Sequence, residues 1–265
     1  MLLLFPILFH TICCRTLKPN TAFNITCISM PNSIRRREHI NSILSFSNCE
    51  FKIFDAIDGR SVLTGQKLIS EYSDSIDLLN YFKKHQGIDK EYYGAVGLKL
   101  TSYSLLRDLE KSNDNKPLLI LEDDADLEVD FVSKVEETLI KMKKEWDIIL
   151  LTCPFVADPL RPRDIETGLE GINFFSGTYA YLINGCNSAK KLADLLETCD
   201  PALPIDIFFG WKCGNKEIKG YAFTQHIAAH LGNEFESTIE TSCFVGHVGL
   251  KDSLYWAVKR NSNKI

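Results

Sequence analysis

The chain has 265 residues and a net charge of −5 at neutral pH, and 45% of its residues are hydrophobic and 25% are charged. These proportions are ordinary for a soluble globular protein, and the length suits one large α/β domain or two small ones. The negative charge argues against a protein that binds nucleic acid mainly through phosphate contacts. The dense basic cluster Arg35-Arg36-Arg37 is short enough to be either a solvated helix face or an anion-binding group.

The N-terminal end is apolar and nearly uncharged from Met1 to Cys14. This stretch is too short for a stable membrane span, which needs about 20 residues. Its length suits a signal peptide that leads into the secretory pathway lumen or out of the cell, although a basic flank and a small-x-small cleavage site are missing. The alternative is a hydrophobic extension of a cytoplasmic protein. We expect residues 1–18 to be one of these two, and residues 19–265 to form a single domain.

The first third of the chain is predicted to contain a strand, a helix, a second strand and a polar loop region: residues 23–30, a helix that starts after Asn32 or Ser33, residues 51–57 and residues 61–90. Aromatic and β-branched residues favour the first strand, which Pro31 ends. Ile40, Ile43 and Leu44 recur at helical spacing, and Asp58-Gly59 indicates a turn.

The remainder alternates between apolar runs and amphipathic stretches. The predicted elements are a helix within 94–108, a strand at 118–121, a helix through 131–142, a strand at 148–152, a surface loop at 158–171, a strand at 174–183 and a helix at 188–198. Strands that alternate with helices predict an α/β fold with a mixed, mainly parallel sheet flanked by helices.

The most informative feature is the run Leu118-Leu119-Ile120-Leu121, which ends in Glu122-Asp123-Asp124. Four large apolar residues without alternation indicate a strand that is buried on both faces. Because unpaired charges are too costly to bury, the carboxylates must lie where the strand emerges, at the edge where open α/β sheets bind ligands. Crowded carboxylates favour a hard cation that also binds phosphate oxygens. The pattern therefore indicates an enzyme that handles a phosphorylated donor.

The acidic segment also partly resembles two other types of acidic site. Asp124, Asp126, Glu128 and Asp130 alternate as in a calcium loop, but the sixth position counted from Asp124 is Val129 instead of glycine, and the twelfth is valine instead of glutamate. A phosphoryl-transfer site with an aspartate nucleophile lacks an accompanying glycine-rich phosphate loop.

Several short motifs, in order, resemble glycosyltransferase family 25, which contains bacterial lipooligosaccharide galactosyltransferases and collagen hydroxylysine galactosyltransferases. The matching segments are residues 28–37 (ISMPNSIRRR), 54–59 (FDAIDG), 94–102 (GAVGLKLTS), 121–124 (LEDD), 177–181 (GTYAY) and 203–206 (LPID). Each motif is weak alone, but their order and spacing cover most of residues 23 to 241.

The resemblance implies a GT-A-type fold that binds a nucleotide sugar, commonly UDP-galactose or UDP-glucose, together with Mn²⁺ or another divalent cation, and that glycosylates a glycan or protein. Glu122 and Asp124 would hold the metal ion, with His226 as a third ligand for which His230 and His247 compete. The expected donor-binding residues are Ser29, Arg36, Arg37, Asp55, Asp123, Gly177 and Thr178. The family inverts the anomeric carbon, so a base must accept the acceptor's proton. Asp206 is the candidate, although a structural carboxylate at a helix N-terminus is an equal alternative.

The chain also departs from the family pattern. Where members usually have G-E-I-G-C-x-L-S-H, this sequence has Ala95 for the glutamate, Leu98 for the cysteine, and Thr101-Ser102 for the Ser-His pair. Ala180 replaces a customary glycine. These changes leave open a second hypothesis, in which the chain is a catalytically silent relative that binds a nucleotide sugar or a glycan, or acts as an interaction module.

Overall fold

The computed structural model describes residues 21–63, 93–152, 155–200, 203–231, 235, 250 and 252–262. The ten strands of this part of the chain are β1 Asn24–Ser29, β2 Lys52–Asp55, β3 Leu118–Glu122, β4 Ala125–Leu127, β5 Ile148–Leu150, β6 Phe155–Ala157, β7 Leu169–Phe175, β8 Ala180–Ile183, β9 Gly220–Phe223 and β10 Ala228–His230. Its helices are α1 Ile34–Phe46, α2 Gly59–Leu63, α3 Tyr93–Ser112, α4 Phe131–Lys141, α5 Gly185–Leu196, α6 Ile205–Gly214 and α7 Leu254–Ser262.

Eight strands form one sheet in the order β2-β1-β3-β8-β5-β9-β7-β6, and β4 pairs with β10 in a separate two-stranded sheet. β1 runs parallel to both β2 and β3, and β5 runs parallel to β9. β7 and β8 are antiparallel to the strands on both of their sides. The other six strands therefore share one direction, which confirms the predicted α/β fold with a mixed sheet flanked by helices.

Burial on both faces explains why the central strand β3 begins with four consecutive apolar residues. Leu118 and Ile120 contact the core layer on one face of the sheet, and Leu119 and Leu121 contact the layer on the other face. All four side chains are at most 5% exposed. Both faces of the sheet are thus covered, and the strand emerges only at Glu122.

The sequence prediction of one strand over residues 174–183 is wrong. Gly177 has a φ of +90° and lies in a turn that separates β7 from β8. A left-handed backbone conformation cannot continue a strand, and glycine adopts it without steric cost. Strand β6 was not predicted, because it is only three residues long and exposes Val156 at the edge of the sheet.

Some predictions fall outside the described residues. These are the N-terminal segment 1–18 and most of the polar region 61–90. Within the described part of the chain, no helix has the length and apolar character needed to cross a bilayer.

Candidate functional site

A cleft of about 590 Å³ lies at the ends of β1 and β3, where the acidic triplet emerges from the sheet. The carboxyl ends of these two strands meet at the same sheet edge because the strands are parallel. Its lining comes from the β1–α1 connection, the β2–α2 connection, the start of α3, the triplet and His230; the main polar and charged residues are Ser29, Arg36, Asp58, Arg60, Glu122, Asp123, Asp124 and His230.

Asp123 is fixed from two sides. Ser29 at the end of β1 donates its hydroxyl proton to Asp123 Oδ2 at 2.6 Å, and Arg36 Nη1 donates to Asp123 Oδ1 at 2.9 Å. The Asp123 residue is only 6% exposed. The structure thereby brings together three residues that the sequence assigned to donor binding, with Arg36 extending from α1 into the cleft.

Asp124 is more deeply buried than Asp123, and its two carboxylate oxygens differ in their hydrogen bonding. Its Oδ2 accepts hydrogen bonds from Arg36 Nη1 at 2.7 Å and from His230 Nε2 at 3.1 Å. Its Oδ1 is buried and has no hydrogen-bond partner among the residues that the structure describes. Burial alone would raise the pKa of Asp124, but the contacts with His230 and Arg36 outweigh it and hold this pKa below its ordinary value. The hydrogen bond to Asp124 in turn raises the pKa of His230.

Glu122 ends β3 and contacts the turn after β7. Its Oε1 accepts a hydrogen bond from Thr178 Oγ1 at 2.9 Å. Burial, followed by the negative charge of Asp124, raises the pKa of Glu122 to about 8. At neutral pH this carboxyl group therefore favours its protonated form, and a cation beside it could take the place of the proton.

The donor set of Glu122 and Asp124 fits a hard divalent cation. Among the described residues no group pairs with the buried Oδ1 of Asp124, and burial, followed by the negative charge of Asp124, favours the protonated form of Glu122. A cation would stabilise both carboxylates. Among the described residues, no three His, Cys, Asp or Glu side chains are arranged to hold an ion by themselves. Mg²⁺-like ions are commonly held by one or two carboxylates together with substrate phosphates and water, so two carboxylates suffice at such a site.

Arg37 and Asp55 lie beside the cleft and do not line it. Arg37 Nη2 donates to the Ser29 carbonyl at 2.9 Å, Arg37 Nε donates to the Met30 carbonyl at 3.0 Å, and the guanidinium pairs with Asp55. The Asp55 side chain is 69% exposed. In this arrangement Arg37 joins the end of β1 to the end of β2 beside the cleft.

Asp206 is connected to the triplet through the β7–β8 turn. Its Oδ2 accepts a hydrogen bond from the Gly177 N–H at 2.7 Å, and the next residue, Thr178, contacts Glu122. Asp206 lies in the first turn of α6, the position predicted by the alternative in which it is a structural carboxylate at a helix N-terminus. It is also close enough to Glu122 to contribute, after burial and Asp124, to the raised pKa of that residue. Asp206 therefore combines the helix-terminal position of a structural carboxylate with a position near Glu122.

The imidazole that contacts the triplet belongs to His230 and not to His226. His226 does not line the cleft, and its Nδ1 is hydrogen-bonded to the Thr152 hydroxyl. His230 reaches Asp124 because β10 pairs antiparallel with β4, which places His230 opposite Ala125. His247, the other alternative, lies outside the described residues.

The alternating carboxylates after the triplet do not form a calcium loop. Asp126 accepts hydrogen bonds from the Ser253 hydroxyl and the Tyr255 N–H and so fixes the start of α7. Glu128 pairs with Lys134 on α4. These side chains contact different elements, so the segment supports the C-terminal helix and α4.

Comparison with known protein families decides which family this site belongs to. The model of glycosyltransferase family 25, described as a lipopolysaccharide biosynthesis protein family, matches residues 23–158, just over half of the chain. The chain belongs to glycosyltransferase family 25. Its fold is consistent with the GT-A type that the resemblance implied. Among curated proteins, no relative matches significantly. The matched range includes the triplet, whereas Thr178, Asp206 and His230 lie beyond it.

The departures from the family 25 pattern mostly lie in the core. Ala95, Thr101 and Ser102 are 7%, 0% and 1% exposed, and none of them lines the cleft. The Thr101 hydroxyl accepts a hydrogen bond from the Ile57 N–H at 2.8 Å and donates to the Gly97 carbonyl at 2.7 Å. Thr101 thus keeps the hydroxyl of the usual serine and uses it to hold the β2–α2 connection. Leu98 is the exception, because it does line the cleft.

Two glycines bring the β2–α2 connection against α3. A Cβ on Gly97 would lie 2.6 Å from the Ile57 carbonyl oxygen and 2.9 Å from the Gly59 nitrogen, and a Cβ on Gly59 would lie 2.0 Å from the Tyr93 carbonyl oxygen. Only glycine permits this backbone approach. Both glycines lie in the motif segments 54–59 and 94–102, but the sequence alone does not reveal that they contact each other; the absence of a side chain at both positions was the available signal.

Proposed function

We propose that this family 25 glycosyltransferase is a metal-dependent inverting enzyme that transfers a hexose, galactose or glucose, from a UDP-sugar to a hydroxyl group of a glycan or protein. The observation that carries the proposal is the buried Asp124, which lies near Glu122 at the edge of a cleft large enough for part of a nucleotide. One oxygen of Asp124 has no partner among the described residues. A hard cation and a diphosphate together satisfy both features.

Mn²⁺ or another divalent cation is the proposed cofactor, held by Glu122 and Asp124. When bound, such an ion neutralises negative charge that develops on the departing nucleotide. Thr178 orients the Glu122 carboxyl group through its 2.9 Å hydrogen bond. Arg36 offers a guanidinium at the cleft, a group that binds phosphate oxygens in a fixed geometry. His230 replaces His226 as the imidazole available to the metal site.

Asp206 is the proposed base. As the acceptor oxygen attacks the anomeric carbon, its proton passes to the Asp206 carboxylate while the bond to UDP breaks. The hydrogen bond from the Gly177 N–H fixes the orientation of this carboxylate. We expect Asp206→Asn to lower kcat by about 10²- to 10⁴-fold, the usual contribution of a general base, while UDP affinity is retained. Equal loss of UDP binding would assign Asp206 a structural role only.

The donor is identified by incubating the purified chain with a panel of UDP-sugars and Mn²⁺ and measuring UDP release. The account predicts release from UDP-galactose or UDP-glucose, with the transferred sugar in the inverted anomeric configuration by NMR. Release from none of the UDP-sugars, in the presence of acceptor glycans, would contradict it.

The silent-relative hypothesis predicts a different result in the same samples. A binding module would be stabilised against heat by a UDP-sugar and would leave it intact. The cleft lining retains Glu122, Asp123 and Asp124, and this retained acidic triplet favours the active enzyme over a silent relative.

A further inference from the structure

Arg36 occupies a position at the carboxylates where a metal ion would also be attracted. A single nitrogen, Nη1, donates to Asp123 Oδ1 at 2.9 Å and to Asp124 Oδ2 at 2.7 Å. The side chain is only 11% exposed, and its guanidinium lies 5.8 Å from the centre of the Phe235 ring. The arginine is thus held among the carboxylates by charge, by burial and by an aromatic contact.

Arg36 contacts both Asp123 and Asp124, but the oxygens of these two carboxylates are paired to different extents. Both oxygens of Asp123 are occupied, one by Ser29 and one by Arg36. In Asp124, Oδ2 accepts hydrogen bonds from both Arg36 and His230, while Oδ1 has no partner within the described part of the chain. The arginine therefore neutralises the site in part while leaving one buried oxygen for a second cation.

We infer that Arg36 is an internal counter-ion that competes with the metal ion for the acidic triplet, so that the metal binds tightly only when the donor diphosphate is also present. This inference rests on the proposed function. Two positive charges at the same carboxylates repel each other, and this repulsion weakens metal binding.

A diphosphate relieves the repulsion, because it brings additional negative charge to both the guanidinium and the metal ion. Guanidinium groups bind phosphate oxygens through parallel hydrogen bonds, and the diphosphate also screens the arginine from the metal ion. Binding of the metal and of the diphosphate is then mutually favourable, and by linkage each raises the affinity of the other by the same factor. The arrangement prevents tight binding of a metal ion without its nucleotide.

The test measures Mn²⁺ affinity by calorimetric titration, with and without UDP, in the wild-type chain, in Arg36→Gln and in Arg35→Gln. Arg35 is the neighbouring exposed arginine of α1, so its variant makes the same change in net charge away from the triplet. We expect Arg36→Gln to bind Mn²⁺ alone about tenfold or more tightly than wild type, as removal of one nearby positive charge implies. The factor by which UDP tightens Mn²⁺ binding should shrink in the same variant.

Arg36→Lys is the second variant, and it covers the case in which the glutamine variant fails to fold. It keeps the charge without the guanidinium fork, so we expect a Mn²⁺ affinity between those of wild type and Arg36→Gln. Mn²⁺ affinity no higher than that of Arg35→Gln in the folded Arg36 variants would overturn the inference and leave the proposed function in place. Absence of Mn²⁺ binding in every protein, even with UDP, would instead remove the metal ion from the proposed function and the inference with it.

Discussion

The buried hydroxyl of Thr101 provides a sharp test of how the cleft is held together. Thr101→Val keeps the shape of the side chain and replaces the hydroxyl by a methyl group, so the Ile57 N–H loses its acceptor at 2.8 Å. The site is 0% exposed, so water cannot replace the lost partner. A buried donor without a partner costs about 1–3 kcal/mol, and the change adds no helix-propensity penalty because both residues are β-branched.

Urea denaturation measures this loss, with Thr101→Ser as the matched control. The serine keeps the hydroxyl and loses one buried methyl group, which costs about 0.5–1.5 kcal/mol. We expect the valine variant to be the less stable of the two and to be stabilised less by UDP, because Asp58 and Arg60 of the held segment line the cleft. A valine variant as stable as wild type, or more stable than the serine variant, would show that the Thr101 hydroxyl does not stabilise the β2–α2 connection.

Two further predictions concern the same fold. Gly97→Ala should lower the free energy of unfolding by about 1–3 kcal/mol, although alanine has the better helix propensity, because the new Cβ would lie 2.6 Å from the Ile57 carbonyl oxygen. Urea denaturation measures this loss, and a variant more stable than wild type would contradict the prediction. Hydrogen bonds from Lys216 and Arg161 outweigh burial and hold the pKa of Asp158 at about 2. The stability that ionised Asp158 contributes is therefore fully present above about pH 4 and is lost as the pH falls towards 2. Asp158→Asn should be less stable than wild type at pH 7, and thermal unfolding should show this difference shrinking between pH 4 and pH 2; a constant difference would contradict the assignment.

The sequence predicts well where one local pattern determines the outcome. Leu118 to Leu121 must be buried on both faces, and in the structure alternate residues contact opposite core layers. The position of the triplet follows directly, because charges cannot remain in that core. The cleft at this sheet edge was predictable for the same reason.

Long-range pairing and single backbone angles determine the parts that the sequence did not reveal. His226 and His230 are indistinguishable by composition, and only the pairing of β10 with β4 places His230 at Asp124. The apolar residues on both sides of Gly177 suggested one strand, and a single positive φ divides it into two. The contact of Arg36 with two carboxylates likewise depends on how α1 packs against the end of β3.

The most direct test of the central claim is the metal dependence of UDP release from the donor, measured for wild type, Asp124→Asn and the control Asp130→Asn. Asp130 is an exposed carboxylate close by in sequence that does not line the cleft. The account predicts release by wild type and Asp130→Asn that requires Mn²⁺ and stops with chelator, and loss of release in a folded Asp124→Asn. Release that persists in chelator, or at full rate in Asp124→Asn, would contradict the account.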